Sequence, residues 1–107
     1  MIRRHVRVDP SFFDDLDSQL GPDRGPNGEP SVTDFLIMDL PTIVDRFAED
    51  FDSLAVAFPS RADYRVLVST GTLMATSVVI GQLLAEDTVV LMGIDIEVVW
   101  PHNEDFD

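Results

Sequence analysis

Thr88-Val89-Val90-Leu91-Met92-Gly93-Ile94-Asp95-Ile96-Glu97-Val98-Val99-Trp100 is the stretch on which the fold turns. Its β-branched and aliphatic residues suit a pleated surface, and their number suits one long strand. Strict alternation would place Val90, Met92, Ile94, Ile96, Val98 and Trp100 on one face, with Val89, Leu91, Gly93, Asp95, Glu97 and Val99 on the other. Only the part holding Asp95 and Glu97 looks wet, so the start of the strand is expected to be covered on both sides. Pro101 stops it, and residues 101–107 read as an acidic tail.

Two further strands precede this one. Tyr64 to Val68 is short and rich in β-branched residues, Thr70-Gly71 suits a tight turn, and Leu73 to Leu84 forms the next strand. Ala85-Glu86-Asp87 supplies the second turn. The chain therefore ends in a three-stranded antiparallel meander.

The first half has a different period. His5 to Val8 reads as a short strand with Val6 and Val8 on one face. Asp9-Pro10 then reads as an N-cap with proline in the first helical turn. Phe12, Leu16 and Leu20 recur every four residues, with Phe13 alongside, and Gly21 is placed to end that helix. Residues 21–30 hold three glycines and three prolines, which excludes regular structure and predicts an exposed, mobile linker. Ser31-Val32-Thr33-Asp34 resembles a capping box with Asp in place of Glu. Phe35, Leu36 and Leu40 continue an apolar stripe, and Pro41 is expected to kink or restart the helix. Beyond it, Ile43, Phe47, Phe51 and Leu54 mark one face, while Asp45, Arg46, Glu49, Asp50 and Asp52 fill the other. Phe58-Pro59-Ser60 is expected to end the helical half. The fold class is α+β: a short N-terminal strand, a helical pair kinked at Pro41, then the meander, all in one domain spanning 1–107.

Composition narrows the chemistry. The net charge is −13, from 20 acids and seven cations, and every cation is arginine. Without lysine, a Walker phosphate loop, a Schiff-base enzyme and a lysine general base are excluded. Without cysteine, disulfides and thiolate chemistry are excluded as well, which fits a reducing cytoplasm. No apolar run of signal-peptide length follows Arg3 and Arg4, and the apolar-rich stretch Leu73 to Ala85 is too short for a membrane span. Carboxylates dominate everywhere except residues 1–8, so the field repels nucleic acid and anionic lipid over most of the surface.

Val6-Arg7-Val8-Asp9-Pro10-Ser11-Phe12 and Asp63-Tyr64-Arg65-Val66-Leu67-Val68, together with the order strand, two helices, meander, resemble the RelE/ParE superfamily of bacterial toxin–antitoxin toxins. The resemblance implies a toxin fold and an antitoxin-like protein partner. Ribosome-directed members carry Arg, Lys, His or Tyr near the end of the last strand for RNA cleavage. Asp95 and Glu97 stand in the corresponding stretch here. Action through protein contact, as in gyrase-poisoning members, is therefore expected in place of ribonuclease activity.

Candidate site residues follow from both lines of reasoning. Arg65 is the position the resemblance points to, with Arg61 and Arg46 as further candidates for a catalytic cation; each reads first as a member of an ordinary salt bridge. Arg3, Arg4, His5 and Arg7 form the one basic cluster, either a partner-binding patch or a polar strand edge that deters pairing. Asp95 and Glu97 complete the candidate binding residues. The acidic runs Asp14, Asp15, Asp17 and Glu49, Asp50, Asp52 match no calcium loop and suit the wet sides of helices, so no metal or other cofactor is expected. His5 and His102 lie at opposite ends of the sequence, and no nucleophile turn or GxGxxG is present. A binding protein is expected before an enzyme: a toxin-fold component of a toxin–antitoxin pair, alternatively an acidic mimic of nucleic acid that occupies a basic protein, alternatively a homo-oligomeric (dimeric) accessory protein.

Overall fold

Helix starts are written locally in the chain, and they form where the side chains can accept the first free N–H groups. In the computed structural model, which describes residues 3–25, 30–70, 75–85 and 87–98, β1 spans His5–Val8 and α1 spans Pro10–Gln19. Asp9 caps α1 by accepting from the Ser11 N–H at 3.0 Å, with Pro10 in the first turn. The helix stops at Gln19, with Leu20 as its C-cap and Gly21 directly after the cap. Leu20 is already extended (φ −121°, ψ 146°), because its buried side chain is drawn into the core.

Ser31 and Asp34 form the reciprocal capping box that opens the second helix. That helix runs on without a break through an α-helical turn Val32–Asp34 (α2), a π-helical segment Phe35–Asp39 and α3, Leu40–Glu49. Pro41 sits in the first turn of α3 and has no N–H to donate to the Ile37 carbonyl. Ahead of Pro41 the helix widens, and the Leu40 N–H reaches five residues back to the Phe35 carbonyl. Of the linker, residues 26–29 lie outside the described residues. Its two ends are tied, by the Val32 N–H donating to the Gly21 carbonyl (2.9 Å) and by Arg24 pairing with Asp34 (2.9 Å).

The helical half ends earlier than its apolar spacing suggests. Phe51–Ser53 is a 3₁₀ turn, and Ala55–Phe58 is a strand, β2. It pairs antiparallel with β3 (Arg61–Thr70), followed by β4 (Ala75–Leu84) and β5 (Thr88–Val98). The meander thus has four strands, and β1 joins β5 in parallel, giving one five-stranded sheet in the order β1-β5-β4-β3-β2. Residues 71–74 of the expected β3–β4 turn, Glu86 of the next turn, and the end of the last strand with the acidic tail (99–107, including Trp100, Pro101 and His102) lie outside the described residues.

Among the described residues both helices lie on one face of this sheet, around a single cluster that includes Phe12, Leu16, Phe35, Ile43, Phe47, Phe51, Leu67, Val79, Val89, Leu91 and Ile94. Two details place the helices. Gly81 on β4 lies under the Phe47 ring, so close that a Cβ there would meet Phe47 at 2.6 Å. Opposite it, β5 carries a β-bulge: Ile80 pairs with Gly93 and Gly81 with Leu91, leaving Met92 as the extra residue. The bulge corrects the strict alternation expected for β5. Val89 and Leu91 face the helices before it, and Ile94 and Ile96 after it. Val90, on the face away from the helices, is buried among its sheet neighbours, and Asp95 and Glu97 are exposed, as the composition of the strand suggests.

Beyond β1, the open edge of β5 is sealed by α1. The Ser11 hydroxyl donates to the Met92 carbonyl (2.7 Å), and Asp15 accepts from the Ile94 N–H (3.3 Å). The Gln19 side-chain amide donates to the Ile94 carbonyl (2.8 Å) and accepts from the Ile96 N–H (2.6 Å), copying the pairing of a neighbouring strand.

Gly81→Ala should lower stability by about 1–3 kcal/mol, because the new methyl group displaces an aromatic ring locked in the core. Gly93→Ala should cost clearly less. Its Cβ would meet only the tip of Asp15, at 3.0 Å, and that side chain can swing aside. Urea unfolding of the two variants checks the ranking; equal losses would contradict it.

Candidate functional site

Arginine is the only cation available, so the fate of each guanidinium decides what chemistry the surface can offer. Arg65 points to the helical side of β3 and donates to the carbonyls of Ala62 (3.0 Å), Asp52 (2.9 Å), Leu54 (3.0 Å) and Phe51 (3.3 Å). Its guanidinium also lies 5.2 Å from the centre of the Phe51 ring. The bonds to Asp52 and Leu54 hold the turn between α3 and β2, and the Phe51 carbonyl also accepts from the Leu54 N–H (3.1 Å). Arg65 is thus a clamp on the backbone, with its donors turned inward.

The other candidates are similarly engaged. Arg61 makes a two-pronged pair with Asp63 (3.0 and 2.9 Å) and lies 4.8 Å from the centre of the Tyr64 ring. Arg46 pairs with Asp50 one turn along α3 (3.2 Å). Arg3 reaches Asp45 (2.8 Å) and Glu49 (2.7 Å), and Arg4 approaches Asp52 (3.4 Å) while lying over Phe51. The basic cluster read from the sequence is therefore divided. Arg3 and Arg4 turn to the acids of α3 and the 3₁₀ turn, whereas His5 and Arg7 stand exposed on β1, opposite in direction to the core-facing Val6 and Val8. Arg7 makes no ion pair among the described residues.

His5 and Arg7 belong to a surface the sequence reading did not assemble: the face of the sheet that carries neither helix. Paired residues share a face, so the registers define its rows. Arg7, Val90, Gln82 and Tyr64 form one row; Gly93, Ile80, Val66 and Ala55 the next; then Asp95, Val78 and Val68; then Glu97, Thr76 and Thr70. Val68 is 64% exposed and Leu84, at the end of β4, 41%. Val66, Val78 and Ile80 are half-buried by one another. The surface is apolar along its middle, basic at the β1 corner and acidic at the far end of β5. A signal for it exists in the sequence. Val66-Leu67-Val68 and Val78-Val79-Ile80 are apolar at successive positions, and a strand covered on one face needs only every second one.

A concave site among the described residues is small by comparison. A cavity of about 90 Å³ lies between the π-helical segment and the sheet, lined by Met38, Asp39, Thr42, Ile43, Ser69, Thr70 and Ser77. It has room for a few water molecules, far below the roughly 300–1,000 Å³ of ordinary ligand pockets. No group of three or more metal-ligating side chains converges among the described residues, and none of their helices is long and apolar enough to cross a membrane. No family model, curated protein or solved structure matches the chain.

Two carboxylates are tuned by these contacts. The hydrogen bond from Arg24, then that from the Ser31 backbone N–H, holds the Asp34 carboxyl down at about 2. The hydrogen bond from Arg61, then that from Gln82, does the same for Asp63. Both lie below the ordinary value near 3.8. A depressed folded-state pKa contributes stability that is complete above the unfolded value and is lost as pH falls through the folded one. The urea midpoint should therefore decline as pH drops from about 4 to about 2, and Asp34→Asn with Asp63→Asn should flatten that part of the profile.

Arg65→Ala should destabilise the fold by about 1–3 kcal/mol, because it removes the donors to the Asp52 and Leu54 carbonyls and the cation over Phe51. Arg65→Lys, lacking the planar fork, should recover less than half of the loss. A stability unchanged by Arg65→Ala would show that the clamp carries no weight.

Proposed function

We propose that this chain is a protein-binding component of a two-protein system of the toxin–antitoxin kind, acting through the helix-free face of its sheet and without catalysis of its own. The observation that carries the proposal is that face: apolar rows led by Val66, Val68, Val78 and Ile80, with charge only at the corners. Soluble domains seldom leave a contiguous surface of this kind without a partner. Exposed apolar groups on the helical layer, Phe13 on α1 and Ile37 and Met38 on the π-helical segment, occur in ones and twos and form no such rows.

Three features agree with this reading. The order of strand, two helices and antiparallel meander is that implied by the toxin likeness. Arg65, Arg61 and Arg46, the candidate catalytic cations, are committed to carbonyls and carboxylates, so they offer no free guanidinium to a phosphate. The 90 Å³ cavity is too small for a nucleotide. A polyanion mimic is the weaker alternative. It needs an unbroken stripe of carboxylates, and Arg3, Arg4 and Arg46 neutralise the stripe along α3.

Induced expression of the chain alone in bacteria tests the proposal. Growth arrest is expected, with colony counts falling by tenfold or more, and Val68→Asp with Val78→Asp should relieve it while circular dichroism shows the fold intact. Normal growth under the wild-type chain would remove the toxin-like role.

A further inference from the structure

We propose that the resting occupant of the helix-free sheet face is a second copy of this chain, laid face to face about a two-fold axis that runs across the strands through the row of Ile80. The inference rests on the reading of that face as a contact surface and names its partner.

The rows on the page make the face self-complementary. A two-fold axis across the strands keeps each strand over its counterpart and reverses its direction, so rows equally distant from the axis exchange places. With the Ile80 row on the axis, the Arg7 row of one subunit faces the Asp95 row of the other. The His5 row, which holds Thr88 and Leu84, faces the Glu97 row in the same way. Arg7 then stands beside Asp95 of the partner subunit, and His5 beside the partner's Glu97. Each contact occurs twice. The apolar rows of Val66, Val68, Val78 and Ile80 meet between them.

The match uses charges that the rest of the fold leaves available. Among the described residues, Arg7, Asp95 and Glu97 take part in no ion pair. A two-fold axis along the strands would instead lay β5 over the partner's β3 and set Asp95 on an apolar Val68, leaving its charge without a counter-ion. Size agrees as well. Strands of 10, 10 and 11 residues flanked by two of four, spaced about 4.8 Å apart with a rise of about 3.3 Å, give a face of roughly 600 Å². Two such faces bury about 1,200 Å², the lower edge of specific, stable interfaces. The dimer should therefore dissociate in the micromolar range, and the face becomes free for a different partner as the chain is diluted or outcompeted.

Sedimentation of the full chain across a thousandfold concentration range tests this directly. A monomer–dimer equilibrium is expected, weakened at least tenfold by Arg7→Asp and by Asp95→Arg and restored toward wild type when the two substitutions are combined. The paired reversal guards against a misfolded single variant, since a damaged fold would not be repaired by a second charge change. A wild-type chain that stays monomeric at several hundred micromolar would overturn the proposal, as would a dimer indifferent to Arg7→Asp and Val68→Asp. The growth assay separates the two inferences: a monomer that still arrests growth sinks the dimer alone, and a charge-dependent dimer that leaves growth untouched sinks the toxin-like role alone.

Discussion

The Phe47 ring lying on the bare backbone of Gly81 is the contact from which the rest of the architecture follows. A helix can approach a sheet only as closely as the side chains between them allow, and here one of those side chains is missing. α3 settles at that point, bringing Ile43, Phe47 and the following Phe51 over the middle strands, and the bulge at Met92 aligns β5 beneath the same helix. Because Leu91 and Ile94 can both face inward only across that extra residue, Asp95 and Glu97 are turned outward. The charge at the far end of the outer face is thus a consequence of the fit on the inner one.

The arginines complete this arrangement from the side. Phe51 closes the core below α3, and the guanidinium groups of Arg4 and Arg65 both lie within 5.5 Å of its ring centre. Arg65 converts an abrupt change of direction, from a 3₁₀ turn into β2, into a set of satisfied carbonyls. In a chain without lysine, the planar five-donor group serves where a point charge could not. Arg65 is thus employed in holding the backbone, and the sheet face opposite the helices carries no comparable clamp.

Local features were legible in the sequence because they depend on neighbours within a turn. Asp9 and Ser31 with Asp34 act as the caps their positions suggest, and Phe12, Leu16, Ile43 and Phe47 are buried as their spacing requires. What escaped depends on distant partners. Ala55-Val56-Ala57-Phe58 follows the helical spacing of Phe47, Phe51 and Leu54, and becomes a strand only because β3 pairs with it and Arg65 ends the turn before it. Met92 is apolar and keeps the alternation, so nothing nearby marks it as the extra residue; the signal lies at Gly81, on another strand. The arginines stand out as positions, but their contacts are set by carboxylates and carbonyls up to 48 residues away, as with Arg4 and Asp52. The apolar triplets of β3 and β4 were visible throughout, and their meaning appears once both helices are seen on the other side.

The side-chain seal that α1 places along β5 also bears on how this acidic protein behaves when crowded. An endless ribbon built by strand-to-strand addition needs two adhesive borders on every subunit, so that each newcomer leaves a fresh one behind. Gln19 and Asp15 cover the length of β5 that β1 leaves open, so the borders that remain are the four-residue strands β1 and β2. Each offers a newcomer only a short ladder. Ribbon growth is thereby disfavoured, while the broad side of the sheet remains greasy.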